Sequence, residues 1–410
     1  MKKKLYLALS LVANVASFAS EESIKVDKID LSNGIDVLLC ENFRSPVVFV
    51  GIIFHVKSTD EPSQKIGLRE LFAVNFINKE MRAKLYEYGI TYKMLVDGSS
   101  VEIIATMNPD RLEDFFSIIY ETISSDIQIT NLEVTKKEIC LRERVSTIYK
   151  ENALGNNVAA FANPNRVFNE NAFKSISEDD IKKFFEDKIR TCYISAKLCG
   201  AVSCKKLVKI FQKSISKLTT RNVQPEHTKK KMSMVRDVLI ENKYASNGIA
   251  HIYSVPPENK KLCAAFIKVF QSELYQYFSR INKAASCSVS LVSSPDDSLY
   301  SVFISPKSDR SIKQIENLYE SFVHRMSHVE IKPNRLAEIA EIAKMEKTIS
   351  SVDFSYIYQL LKKCKTKNEK TNINTSLDLE NITPSDLNVF ANIVFENLIA
   401  KIKTQFYLSR

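Results

Sequence analysis

The chain has 410 residues, of which 45% are hydrophobic and 26% charged, with 58 Lys and Arg against 48 Asp and Glu for a net charge of +10. That length allows two to four domains of roughly 100–200 residues each, and the ordinary globular mix excludes a disordered tail, a collagen-like fibre and a small disulfide scaffold. Only 8 Gly and 11 Pro exclude long flexible or polyproline stretches, and 5 His leave little room for a His-rich metal site.

Residues 1–19 read as a secretory signal peptide: Lys2, Lys3 and Lys4 precede the apolar run Leu5 to Phe18, small residues follow, and Glu21-Glu22 turns polar. The alternative is a membrane anchor, but such a run rises about 21 Å as a helix, short of a bilayer core of about 30 Å. Export, to the periplasm in a Gram-negative host, is the expectation. Cys40, Cys140, Cys192, Cys199, Cys204, Cys263, Cys287 and Cys364 contain no C-x-x-C pair, and those in apolar runs such as DVLLC read as small core residues.

In chain order, residues 24–40 form two strand runs split by Ser32-Asn33-Gly34, a hairpin signal. Residues 47–57 are a long apolar strand, 67–85 a single helix, and Gly89 its stop. Ser100 to Met107 alternates as a strand, and Pro109 opens the next helix. Residues 131–150 read as a long charged helix, Ser177 to Asp180 as a capping box, and 191–202 as a closing strand. The pattern is α+β, with mostly antiparallel strands and helices on one face.

Residues 217–234 are polar, with Pro225 and Lys229-Lys230-Lys231, and read as a linker between domains at 20–216 and 235–410. The second half repeats the first in outline. Strands at 235–253, a helix near 258–281, strands at 286–304 and a helix near 309–325 lead to ITPSDL at 382, which matches ISEDDI at 176 in its I-[S/T]-x-x-D-[I/L] helix start. The same order of elements half a chain apart suggests duplication.

Residues 32–76 resemble the start of the pitrilysin/insulinase-type (M16) zinc peptidases, especially bacterial members related to mitochondrial processing peptidase subunits. The landmarks are Asn33-Gly34, Glu41-Asn42 through Ser45-Pro46-Val47, the Ser58–Glu61 turn and Gly67-Leu68, with Asn108 to Phe115 further on. The resemblance implies two homologous M16-type (LuxS/MPP-like) α+β domains, each a mostly antiparallel sheet covered by helices. It also implies where an inverted zinc motif, H-x-x-E-H, would stand: two His one turn apart bind zinc, the intervening Glu is the general base, and a distant Glu is the third ligand.

In this chain those positions are Glu70, Ala73 and Val74; only the distant ligand, Glu143, is kept. Ala73 has no oxygen to activate water and Val74 has no lone pair. Glu70 reads as a helix-surface residue or the partner of a Lys or Arg. The Tyr and Arg that grip a substrate carbonyl in active members fall at Cys287 and at Glu273 or Leu274; Arg280 fits a later, structural Arg. The Asn-Ala after the edge-strand glycine becomes Lys93-Met94 after Gly89.

His324 and His328 share a helix face at i, i+4 with Glu330 near in sequence, a spacing that suits a metal but lacks a third ligand and a base. Cys287 between two serines is better explained by strand alternation than as a nucleophile. No nucleophile elbow, phosphate loop or dinucleotide fingerprint occurs. The expectation is a pseudoenzyme with no catalytic, metal or cofactor residue of its own, pairing with an active M16 subunit in a heterodimer that processes or degrades peptides. A scaffold or peptide-binding protein without a peptidase partner and a metalloendopeptidase with a relocated metal site are the alternatives. No nucleic-acid partner is expected.

Overall fold

The computed structural model describes residues 26–43, 45–62, 64–97, 100–148, 170–219, 236–242, 248–255, 260–281, 284–293, 298–306, 312–328, 333–334, 336–338, 340–341, 361 and 382–406. The signal segment, most of the linker, Glu330 and the lysine run lie outside the described residues.

The first sheet contains β1 (Asp27–Asp30), β2 (Asp36–Glu41), β3 (Val48–Phe54), β4 (Thr91–Val96), β5 (Val101–Met107) and β6 (Ile194–Gly200), in the spatial order β1-β2-β6-β3-β5-β4. The Asn33-Gly34 turn joins β1 to β2 as read from the sequence, and Gly34 takes the positive φ of 82° that the turn needs. The sheet is mixed: β2 and β6 are parallel, and every other neighbouring pair is antiparallel.

Helices cover one face. They are α1 (Leu68–Phe76), α2 (Lys79–Glu87), α3 (Leu112–Ser124), α4 (Leu132–Ile148), α5 (Glu170–Lys174), α6 (Glu178–Phe184) and α7 (Cys204–Lys213). The single helix expected over 67–85 is in fact two. Ile77 leaves the helix with extended backbone, and the Asn78 side chain accepts from Met81 N–H at 2.9 Å, starting α2 afresh. In α3 the apolar residues Leu112, Phe115, Phe116, Ile119 and Ile123 recur at helical spacing and are buried. They join Val37, Leu39, Val50, Ile52, Phe54, Phe72, Phe76 and Phe211 in one core between helices and sheet. Each such side chain contributes about 1.5–3 kcal/mol by burial.

The second sheet runs β7 (Arg236–Asn242), β11 (Leu398–Phe406), β8 (Gly248–Val255), β10 (Ser298–Pro306), β9 (Ala284–Ser293). Again one pair is parallel, β7 with β11, and the rest are antiparallel. Without β1, the first sheet has the same order and the same sense of pairing. Helices α8 (Lys260–Ile281), α9 (Ile312–His328) and α10 (Pro384–Glu396) carry a separate core of Phe266, Phe270, Leu274, Tyr319, Phe322 and Phe390.

Both capping boxes form. Ser177 Oγ accepts from Asp180 N–H at 3.1 Å while Asp180 Oδ2 accepts from Ser177 N–H at 2.8 Å. Thr383 and Asp386 repeat this at 3.2 and 2.9 Å. Each box opens the helix that leads into the strand with the parallel partner.

Candidate functional site

The helix to which the resemblance would assign a metal motif is α1. α1 follows Gly67, whose φ of 106° lies in the left-handed region. A β-carbon there would fall 2.3 Å from Cδ2 of Phe173, so both backbone and space demand glycine. The Glu61 carboxylate meets the first-turn amides: Gly67 N–H and Arg69 N–H each donate to Oε1 at 3.0 Å. Arg69 Nε–H donates to Oε2 at 3.2 Å, and the two side chains are only 1% and 2% exposed.

Arg69 Nη1 goes on to donate to the carbonyls of Val56 at 3.3 Å and Asp97 at 2.5 Å. Glu61 thus complements the positive end of α1, and Arg69 ties α1 to the chain leaving β3 and to the end of β4. Burial, followed by the nearby Glu70 charge, raises the Glu61 pKa above the ordinary carboxylate value, against the pull of Arg69. This buried pair escapes a motif reading. Its sequence signal is the charged pair Arg69-Glu70 between Leu68 and Leu71.

The three motif positions hold no metal-binding set. Glu70 differs from its expected surface or paired state. It is half-buried, and its Oε2 is buried with no hydrogen-bond partner among the described residues. The reason is local: α1 packs against β4, α4 and α6, so little of the helix faces water. Ala73 is part of the core. Val74 is 39% exposed and presents only methyl groups. Glu143 lies on α4, which packs on α1, but its side chain is outside the described residues. Among the described residues no group of three or more His, Cys, Asp or Glu side chains is placed to hold a metal.

β4, the outer strand of the sheet, lies beside α1 with alternating exposed and half-buried residues, Lys93 exposed and Met94 half-buried. The residues that the resemblance would set at the oxyanion positions are placed as follows. Leu274 is in the second core and Glu273 is a half-buried carboxylate on α8. Arg280 is exposed at the last turn of α8. Cys287 stands opposite Ile304 in the second sheet, and burial pushes its thiol up to about 11, which keeps it protonated and unreactive at neutral pH.

His324 and His328 have ring centroids 4.2 Å apart, tilted at 40° to each other. One ring nitrogen of His328 is taken by its hydrogen bond to the His324 carbonyl at 2.8 Å. A Ser–His contact missed in the sequence joins His55 Nε2 and Ser195 Oγ at 2.9 Å. Ser195 is 2% exposed near the start of β6, an interior strand of the sheet, so the contact is structural.

No family model and no curated protein matches the sequence. Solved structures do. A protease from Helicobacter pylori has TM-score 0.80 at 14% identity, covering 93% of this chain and 99% of that one. The first half of the periplasmic protease PqqL from Escherichia coli has TM-score 0.73 at 12% identity, covering 95% and 93%; against whole PqqL the chain covers 48% of the larger protein. A peptidase M16 inactive domain from Pseudomonas fluorescens has TM-score 0.73 at 11% identity, covering 94% and 98%. The chain therefore shares the fold of these structures, among them a peptidase M16 inactive domain.

Proposed function

We propose that the chain is the non-catalytic subunit of a two-chain M16-type peptidase, exported to the periplasm, whose partner carries the intact H-x-x-E-H. The observation that carries this is α1 itself. The helix is capped, buried and fixed against β4 and α4, yet Glu70, Ala73 and Val74 stand where the two ligands and the base would be.

An extended peptide laid along β4 would gain main-chain hydrogen bonds from an outer strand, and the wall around it would exclude water from the partner's zinc site. This chain would orient peptide and exclude solvent; it would not activate water. Two observations support a partner. The chain covers 48% of PqqL, leaving room for a second unit of similar size, and a related fold is described as an inactive M16 domain. The shared strand order and the two capping boxes support an origin by duplication, with domains at 20–216 and 235–410.

The test is affinity purification from the native cell envelope. The expected result is a co-purifying chain near 1:1 that contains H-x-x-E-H, with peptidase activity only in the pair. Recovery as a monomer or homodimer with no such partner would overturn the proposal. So would about one equivalent of tightly held zinc in the isolated chain.

A further inference from the structure

We propose that Cys40 and Cys199 form a redox pair that closes to a disulfide across β2 and β6. This inference is independent of the peptidase-partner reading. The two cysteines are directly opposite each other in the parallel ladder, at the register Cys40↔Cys199. Their neighbours Leu39 and Leu198 point into the core beneath the helices. Side chains alternate along a strand, so both thiols share the opposite face. Neighbouring strands lie about 4.7–4.9 Å apart, inside the roughly 4.4–6.8 Å separation of α-carbons that a disulfide accepts. Both cysteines are free thiols.

The Cys199 side chain beside Cys40 lowers the Cys40 pKa, more than burial and the Asp27 charge raise it, while Cys40 and burial raise Cys199. Cys40 is the more accessible of the two, 6% exposed against 0%, and stands one residue before exposed Glu41 at the end of β2, which makes it the attacking thiolate.

The co-reactant is a low-molecular-weight disulfide, RS–SR. Cys40 thiolate attacks one sulfur, forming a mixed disulfide and releasing RS⁻. Cys199 gives up its proton and attacks Cys40 sulfur, releasing the second RS⁻. The two cysteine protons end on the two thiolates, so two protein thiols are oxidised and RS–SR is reduced to two RSH.

The test uses the full chain incubated with oxidised glutathione, quenched in acid, alkylated after unfolding and mapped by mass spectrometry. The expected result is a peptide linking Cys40 to Cys199, released by dithiothreitol and still formed in Cys204→Ser, with Cys140 and Cys192 alkylated. The linked form melts roughly 4–8 °C higher than the reduced form, because a long chain segment is closed. In Cys40→Ser, Cys199 becomes fully alkylatable. Cys204 is the internal check, since its N–H donates to Glu41 Oε1 at 2.7 Å beside Cys40. Linkage of Cys40 to Cys204 would overturn the proposal, as would full alkylation of Cys40 and Cys199 at every glutathione disulfide concentration.

Discussion

At the scale of single residues, Glu61 and Arg69 decide whether α1 sits correctly. Their ion pair is buried, so removing one partner leaves a charge with neither water nor counter-charge. Arg69→Ala is expected to destabilise the first half by about 3–5 kcal/mol, read as a lowered urea midpoint. The double change Glu61→Gln with Arg69→Met is expected to cost less than Arg69→Ala alone, since no buried charge is stranded. Gly67→Ala tests the neighbouring residue: its positive φ and the 2.3 Å approach to Phe173 predict a loss of more than about 2 kcal/mol. Adding Phe173→Ala should relieve the collision but not the backbone term, so thermal melts of the single and double variants separate the two. The absence of a zinc motif at Glu70, Ala73 and Val74 was legible directly, because side-chain chemistry is written in the sequence. The Glu61–Arg69 pair was not, because its strength comes from burial by elements that only the fold brings together.

At the scale of elements, β8 and β11 carry a pH-sensitive contact. His251 on β8 stands opposite Lys401 on β11 and Val302 on β10, with Tyr319 of α9 packed edge-on at 4.7 Å. Tyr253 lies farther off at 6.4 Å and its hydroxyl bonds to that of Tyr319. Lys401 and Lys403 reach across to Glu320 and Glu316 of α9, at 3.0 and 2.9 Å. Burial, and then the charges of Lys401 and Lys403, lower the His251 pKa from 6.5 to about 3. The folded state thus binds fewer protons than the unfolded state between these values. The stability this neutral histidine contributes is complete above pH 6.5 and is lost as pH falls toward 3. The slope approaches about 1.4 kcal/mol per pH unit for one proton. Melting curves from pH 7 to 4.5 should show this fall, and His251→Gln should flatten it. An unchanged slope in the variant would place the acid sensitivity elsewhere. The helix starts at Ser177 and Thr383 were readable from their capping-box residues, and the strand at Ser100 to Met107 from its alternation. The break at Ile77-Asn78 was not, since the apolar spacing continues through it and only the Asn78 cap marks it. The Cys40↔Cys199 register was hidden for a different reason: it pairs strands from opposite ends of the first sheet's sequence.

At the scale of the whole molecule, the two cores share no residue. One is built from positions 29 to 218 and the other from positions 249 to 394. Each lies beneath a sheet with the same order and the same single parallel pair, apart from the extra strand β1. A core that closes on itself is what a domain needs to fold alone. A fragment of residues 20–219 is therefore expected to unfold cooperatively in urea and to keep the Arg69→Ala sensitivity of the full chain. The full chain with His251→Gln should leave the first half's transition in place while altering the second. If the fragment showed no cooperative transition, the two cores would form one folding unit despite their separation. The pairing proposal would then concern one indivisible unit rather than two copies of one module. If the fragment folds, affinity capture with it tests where the proposed partner would dock. A partner captured by the 20–219 fragment alone would dock through the half that carries α1 and β4; one captured only by the full chain would require the second half as well.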